Sequence, residues 1–80
     1  MLNRISPDEA KAIRKGRRVS GLKLTQERLG LLFGVTKRTV LRWEAGEEPI
    51  EPRTALAFRF IERASQEELD AMWEAAQAAA

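Results

Sequence analysis

The chain has 80 residues, 44% of which are hydrophobic, and its formal net charge is +2. This length supports a single domain, residues 1–80, with one modest core. The chain contains no Cys and no His, which excludes thiol chemistry and removes the usual general base and the commonest metal ligand. Its five glycines match no nucleotide-binding glycine pattern. We therefore expect no catalytic residue, no metal and no cofactor, and we set an enzyme aside.

The small net charge conceals an uneven distribution along the chain. Residues 1–43 contain 11 Lys or Arg and 3 Asp or Glu, a balance of +8, whereas residues 44–80 contain 3 and 9, a balance of −6. A basic half on so small a domain favours a polyanionic partner. No apolar stretch approaches the roughly 20 residues of a membrane span, and the polar segment 6–8 argues against a secretory signal.

Apolar spacing predicts five helices and no strand, since a 3.6-residue period recurs while β-branched and polar residues never alternate over a strand length. The first helix begins with a Ser6 cap and runs over about residues 7–18. Leu22 and Leu24 should then anchor the connection to the next helix in the core.

The next two helices form a helix-turn-helix over residues 25–46. They cover residues 26–33 and 37–45, with Gly34 at the left-handed end of one and Thr36 capping the other. A three-residue turn that contains glycine makes the second helix of such a pair cross the first sharply. A small residue inside the earlier helix, Gly30, indicates that the two helices pack closely.

The third helix carries an unusual charge pattern. Val40 and Trp43 share its inner face, which leaves Lys37, Arg38 and Arg42 outward. Two cations in the first turn oppose the helix dipole and cost a few tenths of a kcal/mol each, so an anionic partner is the simplest reason to keep them. In a helix-turn-helix, the first residues of the second helix meet base edges in the major groove, and Arg can form bidentate contacts with guanine.

Two further helices complete the prediction. The fourth begins at Pro52, with Ala55, Leu56 and Phe60 as its main apolar residues and Phe58 and Ile61 as further candidates. The fifth covers about residues 66–78 after a capping box at Ser65. Its apolar stripe is Leu69, Met72, Trp73 and Ala76, in which Trp73 suits either the core or a dimer contact.

Three segments carry a family resemblance: 24–29 (LTQERL), 34–40 (GVTKRTV) and 42–46 (RWEAG). Together they resemble the Cro/C1-type (XRE-like, phage-repressor) helix-turn-helix family, and the likeness extends over most of residues 7–63. The resemblance implies an all-α, compact five-helix domain with a lambda-repressor-like DNA-binding fold. It also implies a homodimer on a palindromic double-stranded DNA operator.

The resemblance assigns roles to individual residues. The base-reading positions are Lys37, Arg38, Thr39 and Arg42. Gln26 matches a residue that contacts a phosphate and supports the recognition helix. Beside what the resemblance implies, Thr36, Lys23, Arg28 and Arg18 are further candidates for phosphate contact, although the basic residues, like Lys15, could instead only solubilise the domain. Glu44 matches an acidic residue that pairs with an Arg of the first helix, either Arg17 or Arg18. Leu41 would contact a thymine methyl group or pack against a neighbour.

The resemblance therefore implies a cytoplasmic, nucleoid-associated repressor or autorepressor, as found in phages and mobile elements. The alternative is an antitoxin that binds a toxin protein and also represses its own operon. An antitoxin would hold a basic toxin on the fifth helix or on the first. The acidic residues of the fifth helix should form a solvated face that points away from DNA: Glu67, Glu68, Asp70 and Glu74.

Overall fold

Five helices and one short hairpin make up residues 4–79, the part of the chain that the computed structural model describes. The helices are α1 (Pro7–Lys15), α2 (Gln26–Phe33), α3 (Lys37–Ala45), α4 (Pro52–Arg63) and α5 (Gln66–Ala79). The strands β1 (Arg18–Val19) and β2 (Leu22–Lys23) pair antiparallel between α1 and α2. The mostly helical class is confirmed, but the prediction of no strand is wrong. The predicted domain limits at residues 1 and 80 lie outside the described residues.

The first helix is shorter than predicted, because the chain leaves it at Gly16. The Gly16 N–H donates to the carbonyl oxygens of Ala12 (3.0 Å) and Ile13 (3.2 Å), which closes the last turn. The hairpin that follows turns at Ser20 and Gly21, whose φ angles of 49° and 80° are both positive. Positive φ at both central residues is the pattern of a type I′ hairpin turn. Strands of two residues leave no alternation to detect in a sequence.

Local capping sets the ends of α2 and α3, and both helices have the predicted bounds. The Thr25 hydroxyl accepts the N–H of Arg28 at 3.2 Å, and the Thr36 hydroxyl accepts the N–H of Thr39 at 3.3 Å. Gly34 ends α2 in the left-handed conformation, with φ of 72°. These contacts span three to five residues, which is why the sequence predicts them well.

Close packing at Gly30 brings α2 against the turn before α3. A Cβ atom built on Gly30 would lie 2.6 Å from the Val35 carbonyl oxygen. That distance is shorter than a carbon and an oxygen can approach, so only glycine fits without a shift of the backbone. The predicted close packing is confirmed.

The core draws side chains from all five helices and from the hairpin. Its buried apolar residues are Ala10, Ile13, Val19, Leu24, Leu29, Val40, Trp43, Ala55, Phe58, Ile61, Leu69 and Trp73. The rings of Phe33 and Phe58 meet edge to face with centroids 5.0 Å apart, and Trp43 lies 5.9 Å from Phe58. Trp73 is buried within this chain, which confirms the core interpretation of that residue.

Three apolar side chains do not lie where the sequence suggested. Leu56 and Phe60 of α4 are 55% and 54% exposed, and Leu22 of the hairpin is 44% exposed. The buried residues of α4 are instead Ala55, Phe58 and Ile61. Because α4 is apolar on two faces, its spacing alone cannot tell which face is inside. Leu22 points away from the core because alternate strand residues face opposite sides and its pairing partner Val19 is the buried one.

The last helix begins at the predicted capping box. The Ser65 hydroxyl accepts the Glu68 N–H at 3.0 Å, and the Glu68 carboxylate accepts the Ser65 N–H at 2.8 Å. From there α5 continues to Ala79 and buries Leu69. Within residues 4–79, no helix combines the length and apolar character needed to cross a membrane.

Candidate nucleic-acid interface

The recognition candidates lie on the outer face of α3. Lys37, Arg38 and Arg42 are all exposed, whereas Val40 and Trp43 are buried beneath them. This arrangement confirms the predicted division of α3 into an inner apolar and an outer basic face. Nothing in the structure tests contact with bases, so that part of the assignment stays a prediction.

Two hydroxyl groups mark the beginning of the same helix. The Thr36 and Thr39 hydroxyl oxygens lie 3.2 Å apart, in addition to the capping bond between the Thr36 hydroxyl and the Thr39 N–H. Thr39 is half-buried and Thr36 is exposed. Both hydroxyls therefore fix the start of α3, directly beside the exposed Lys37 and Arg38.

A surface cleft of about 560 Å³ opens where the first turns of α2 and α3 meet. Its lining residues are Arg14, Thr25, Gln26, Glu27, Arg28 and Lys37. The fold thus brings the predicted phosphate ligands Gln26 and Arg28 together with the predicted base reader Lys37. The cations that a ligand could reach in this cleft are Arg28 and Lys37, against the carboxylate of Glu27, because Arg14 is paired with Glu44.

A buried ion pair holds α3 in position behind this cleft. The Arg14 guanidinium donates twice to the Glu44 carboxylate, from Nε at 2.6 Å and from Nη2 at 2.9 Å. Gln26 donates from Nε2 to the same carboxylate at 3.1 Å, and Arg14 Nη1 reaches the Leu24 carbonyl oxygen at 3.2 Å. One carboxylate on α3 is therefore tied to α1 and to the first residue of α2.

The partner of Glu44 is Arg14, so the prediction of Arg17 or Arg18 is wrong. The physical reason is that α1 ends at Lys15, which carries the later arginines away from α3. Arg14 follows Ala10 at the four-residue spacing of one helix face, and it is only 9% exposed. The sequence did contain a signal for the Arg14–Glu44 contact, because Arg14 is a basic residue on the apolar face of α1.

The Glu44 carboxyl is ionised at neutral pH despite its burial. Its side chain is only 4% exposed. Burial alone would raise the pKa of this carboxyl, but the hydrogen bonds from Arg14 and Gln26 outweigh burial and hold the pKa below its usual value. The charged pair of Arg14 and Glu44 therefore holds α3 against α1 at neutral pH.

Arg17 contacts the end of α4 instead of Glu44. Its Nη1 atom donates to the carbonyl oxygens of Ile61 (2.7 Å), Glu62 (3.1 Å) and Ala64 (2.8 Å) at the end of α4. A cation at a helix C-terminus also opposes the negative end of the helix dipole. Arg17 therefore has a structural contact that accounts for it without any ligand.

The hairpin adds a second basic cleft beside the first. Arg18 and Lys23 are cross-strand partners and both are exposed, although like charges opposite each other disfavour a ribbon. They lie on a cleft of about 500 Å³ whose lining includes no acidic residue. Because Arg14 and Thr25 line both clefts, the two form one continuous basic surface. Lysine 15 lines the hairpin cleft as well.

The first half of α5 holds this hairpin in place. The Asp70 carboxylate accepts the N–H of Ser20 at 2.7 Å, and Gln66 Nε2 donates to the Arg18 carbonyl oxygen at 2.6 Å. The Ser20 N–H, followed by Gln66, lowers the pKa of the Asp70 carboxyl. The prediction that all acidic residues of α5 form a solvated face is therefore wrong for Asp70, which faces the basic side. The other three acidic residues are exposed and fit that prediction: Glu67, Glu68 and Glu74.

Sequence reasoning also missed a hydrogen bond between the predicted phosphate ligands. Arg28 Nη1 donates to the Lys23 carbonyl oxygen at 2.9 Å, which links α2 to the second strand.

Comparison with known proteins finds no relative, since no family model, no curated protein and no solved structure matches this chain.

Proposed function

We propose that this protein is a sequence-specific regulator of transcription that binds double-stranded DNA and acts as a repressor or autorepressor. The observation that carries the proposal is the outer face of α3, where Lys37, Arg38 and Arg42 are exposed on a helix anchored by buried residues. A rigid helix with a basic outer face fits the major groove of B-form DNA, which admits an α-helix. The deep, narrow major groove of A-form RNA does not.

In this proposal one set of residues contacts bases and another set contacts phosphates. Lys37, Arg38, Thr39 and Arg42 read base edges, because they lie at the start and along the outer side of α3. Gln26, Thr36, Lys23, Arg28 and Arg18 contact phosphates and fix the register of the protein on the duplex. Support comes from the continuous basic surface formed by the two clefts, which borders the first turn of α3.

The proposed regulator is a homodimer on a palindromic operator. One short helix contacts only a few base pairs, so specific binding by a domain of this size gains from a second copy one helical turn away. Electrostatics support the orientation, since the exposed Glu67 and Glu74 of α5 would be repelled by phosphates.

Selection of bound sequences from a random DNA pool tests this function directly. We expect enrichment of a palindromic consensus with half-sites about one helical turn apart. Arg38→Ala should relax the choice of base at defined positions, by about 1–3 kcal/mol for a lost bidentate contact. Lys23→Ala should weaken binding to all sequences alike and lower the slope of log affinity against log salt by about 1.

A matched control is Arg4→Ala, which removes an exposed cation before α1 that lines neither basic cleft. It should leave both base choice and salt slope unchanged. If the pool shows no enrichment, or if all three substitutions weaken binding equally, the assignment of α3 as a base-reading helix is wrong.

A second candidate function is that of an antitoxin, which would bind DNA in the same way and hold a toxin on α5. The observation in its favour is that α5 carries four acidic residues and no cation. Co-purification with the product of a neighbouring gene tests it: a small basic toxin bound to α5 would favour this candidate.

A further inference from the structure

An exposed leucine lies on the basic outer face of α3. Leu41 is 45% exposed, and among the large apolar side chains that are exposed within residues 4–79 it is the one that belongs to α3. It is neither part of the buried core nor one of the partly buried side chains that pack against the core. Nearly half of this side chain is therefore open to a partner.

Helical geometry places Leu41 among the proposed base-reading residues. With 3.6 residues per turn, Arg38, Leu41 and Ala45 lie within about 60° of one another around the helix axis, and all three are exposed. Lys37 and Arg42 lie on either side of this stripe. The outer face of α3 thus carries an apolar strip between cations, a pattern that matches one apolar contact surrounded by polar ones.

The major groove offers one apolar group to such a side chain. Base edges there present hydrogen-bond donors and acceptors, and thymine adds a methyl group at C5. A leucine set against a polar base edge or a phosphate would bury that polar group without a hydrogen bond, which costs free energy. Against a methyl group, it instead removes apolar surface from water on both sides. Methylation of cytosine at C5 places the same group on the same carbon.

The backbone on both sides of Leu41 is firmly held, as a contact with a single methyl group requires. The preceding residue, Val40, is fully buried. Three residues later, the Glu44 carboxylate accepts two hydrogen bonds from the Arg14 guanidinium. The position of Leu41 relative to the DNA is therefore set by the register of α3 in the groove.

We propose that Leu41 contacts the C5-methyl group of a pyrimidine in the operator. This inference rests on the proposed function and adds a specificity-determining residue to it. Leu41 follows Lys37 by one helical turn, a rise of about 5.4 Å, so the methyl-bearing base should lie about one or two base pairs from the base that Lys37 contacts. The methyl group can belong to thymine or to 5-methylcytosine, and the experiment separates the two.

Selection from three random DNA pools tests whether the methyl group is read. The first pool contains the ordinary bases. The second contains uracil in place of thymine, so it has no C5-methyl group, and the third contains uracil together with 5-methylcytosine in place of cytosine. We expect thymine at a defined position of the consensus from the first pool and loss of that preference in the second. Selection of 5-methylcytosine at the same position in the third pool would show that both sources are read, and no preference there would assign the contact to thymine alone.

Affinity for one selected operator gives the size of the effect. Replacement of thymine by uracil at that position should weaken binding of the wild type about fourfold, the factor that corresponds to burial of one methylene-sized group. Leu41→Ala should bind the two operators equally, whereas Leu41→Met, which keeps a long apolar side chain, should still prefer thymine. Helical circular dichroism verifies that each variant is folded.

The matched control is Leu31→Ala. Leu31 is 42% exposed on α2, but it lines a cleft between α2 and α5 and not the outer face of α3. This variant should keep the fourfold preference of the wild type for thymine over uracil.

The failures of this inference and of the proposed function are distinguishable. Equal binding of the wild type to the two operators, or a thymine preference that survives in Leu41→Ala, overturns the methyl contact and keeps the DNA-binding function. Loss of the preference in Leu31→Ala also overturns it, because the effect would then not be specific to the outer face of α3. Pools without any enrichment refute the proposed function, and this inference with it.

Discussion

The α2–α3 unit and the β1–β2 hairpin lie side by side on the basic surface, but contacts of very different range hold them. Capping by Thr36 and the left-handed Gly34 act over a few residues. The hairpin depends on Gln66 and Asp70, which follow their partners by 48 and 50 residues. Local contacts thus set the ends of α2 and α3, whereas the hairpin is held by residues of the last helix.

The largest expected effect comes from the buried ion pair that ties α3 to α1. Glu44→Gln leaves the Arg14 guanidinium buried without its counter-ion, and breaking such a buried pair costs about 3 kcal/mol or more. Chemical denaturation at neutral pH measures this loss in the free energy of unfolding. Glu47→Gln, at an exposed position just after α3, is the control and should cost almost nothing.

The Arg14–Glu44 pair also makes the free energy of unfolding depend on pH. Since the folded protein holds the pKa of Glu44 below the ordinary value of 4.5, the ionised carboxylate stabilises the fold above that pH. This stability is lost as the pH falls through the lowered pKa. The wild type should therefore lose more unfolding free energy than Glu44→Gln as the pH falls from about 5 to about 3. Equal losses in the two proteins would contradict the ionised pair.

A smaller effect is expected from within the α2–α3 unit. Gly30→Val places a branched side chain against the Val35 carbonyl, where even a Cβ atom is too close. Overpacking of this kind costs about 1–3 kcal/mol. Thermal and chemical unfolding measure the cost, with Glu27→Val on the exposed side of α2 as the control for helix propensity. A Gly30→Val protein as stable as that control would show that the helix crossing is loose.

The smallest effect should come from the hairpin. Asp70→Ala removes the acceptor for the Ser20 N–H, so exchange of that amide hydrogen with solvent should accelerate while global stability changes little. Glu74→Ala, one turn later on α5, should leave the exchange unchanged. Nuclear magnetic resonance measures the amide and, in the same spectra, the Trp43 indole of α3. A shift of that indole in Asp70→Ala would show that the two elements are not independent.

The sequence predicted the parts of the fold that depend on local contacts and missed those that depend on distant residues. The limits of α2 and α3 were predictable to the residue, because Thr25, Thr36 and the glycines act locally. The hairpin was not, because two-residue strands have no period and their stability comes from α5. The identity of the Glu44 partner depended on the helix end at Gly16, and three residues of error there changed the arginine.

Some features of the candidate site also follow from local helix geometry, whereas others depend on tertiary packing. The outward positions of Lys37, Arg38 and Arg42 follow from helical geometry once Val40 and Trp43 are recognised as buried. The face of α4 was not predictable, because Phe58 and Phe60 are equally apolar and only packing against Trp43 and Phe33 selects one of them. The connection of the two basic clefts through Arg14 and Thr25 also required coordinates.

The contact between Arg17 and the end of α4 has a consequence for the folding and unfolding of the domain. Its partners lie 44 to 47 residues later in the chain, so the last turn of α4 is complete only when the two halves of the sequence have met. Closing so long a loop has an entropic cost that local helix formation does not carry. The end of α4 needs Arg17 from the first half, and the hairpin of the first half needs Gln66 and Asp70 from the second. We therefore expect the two halves to fold and unfold in one cooperative event.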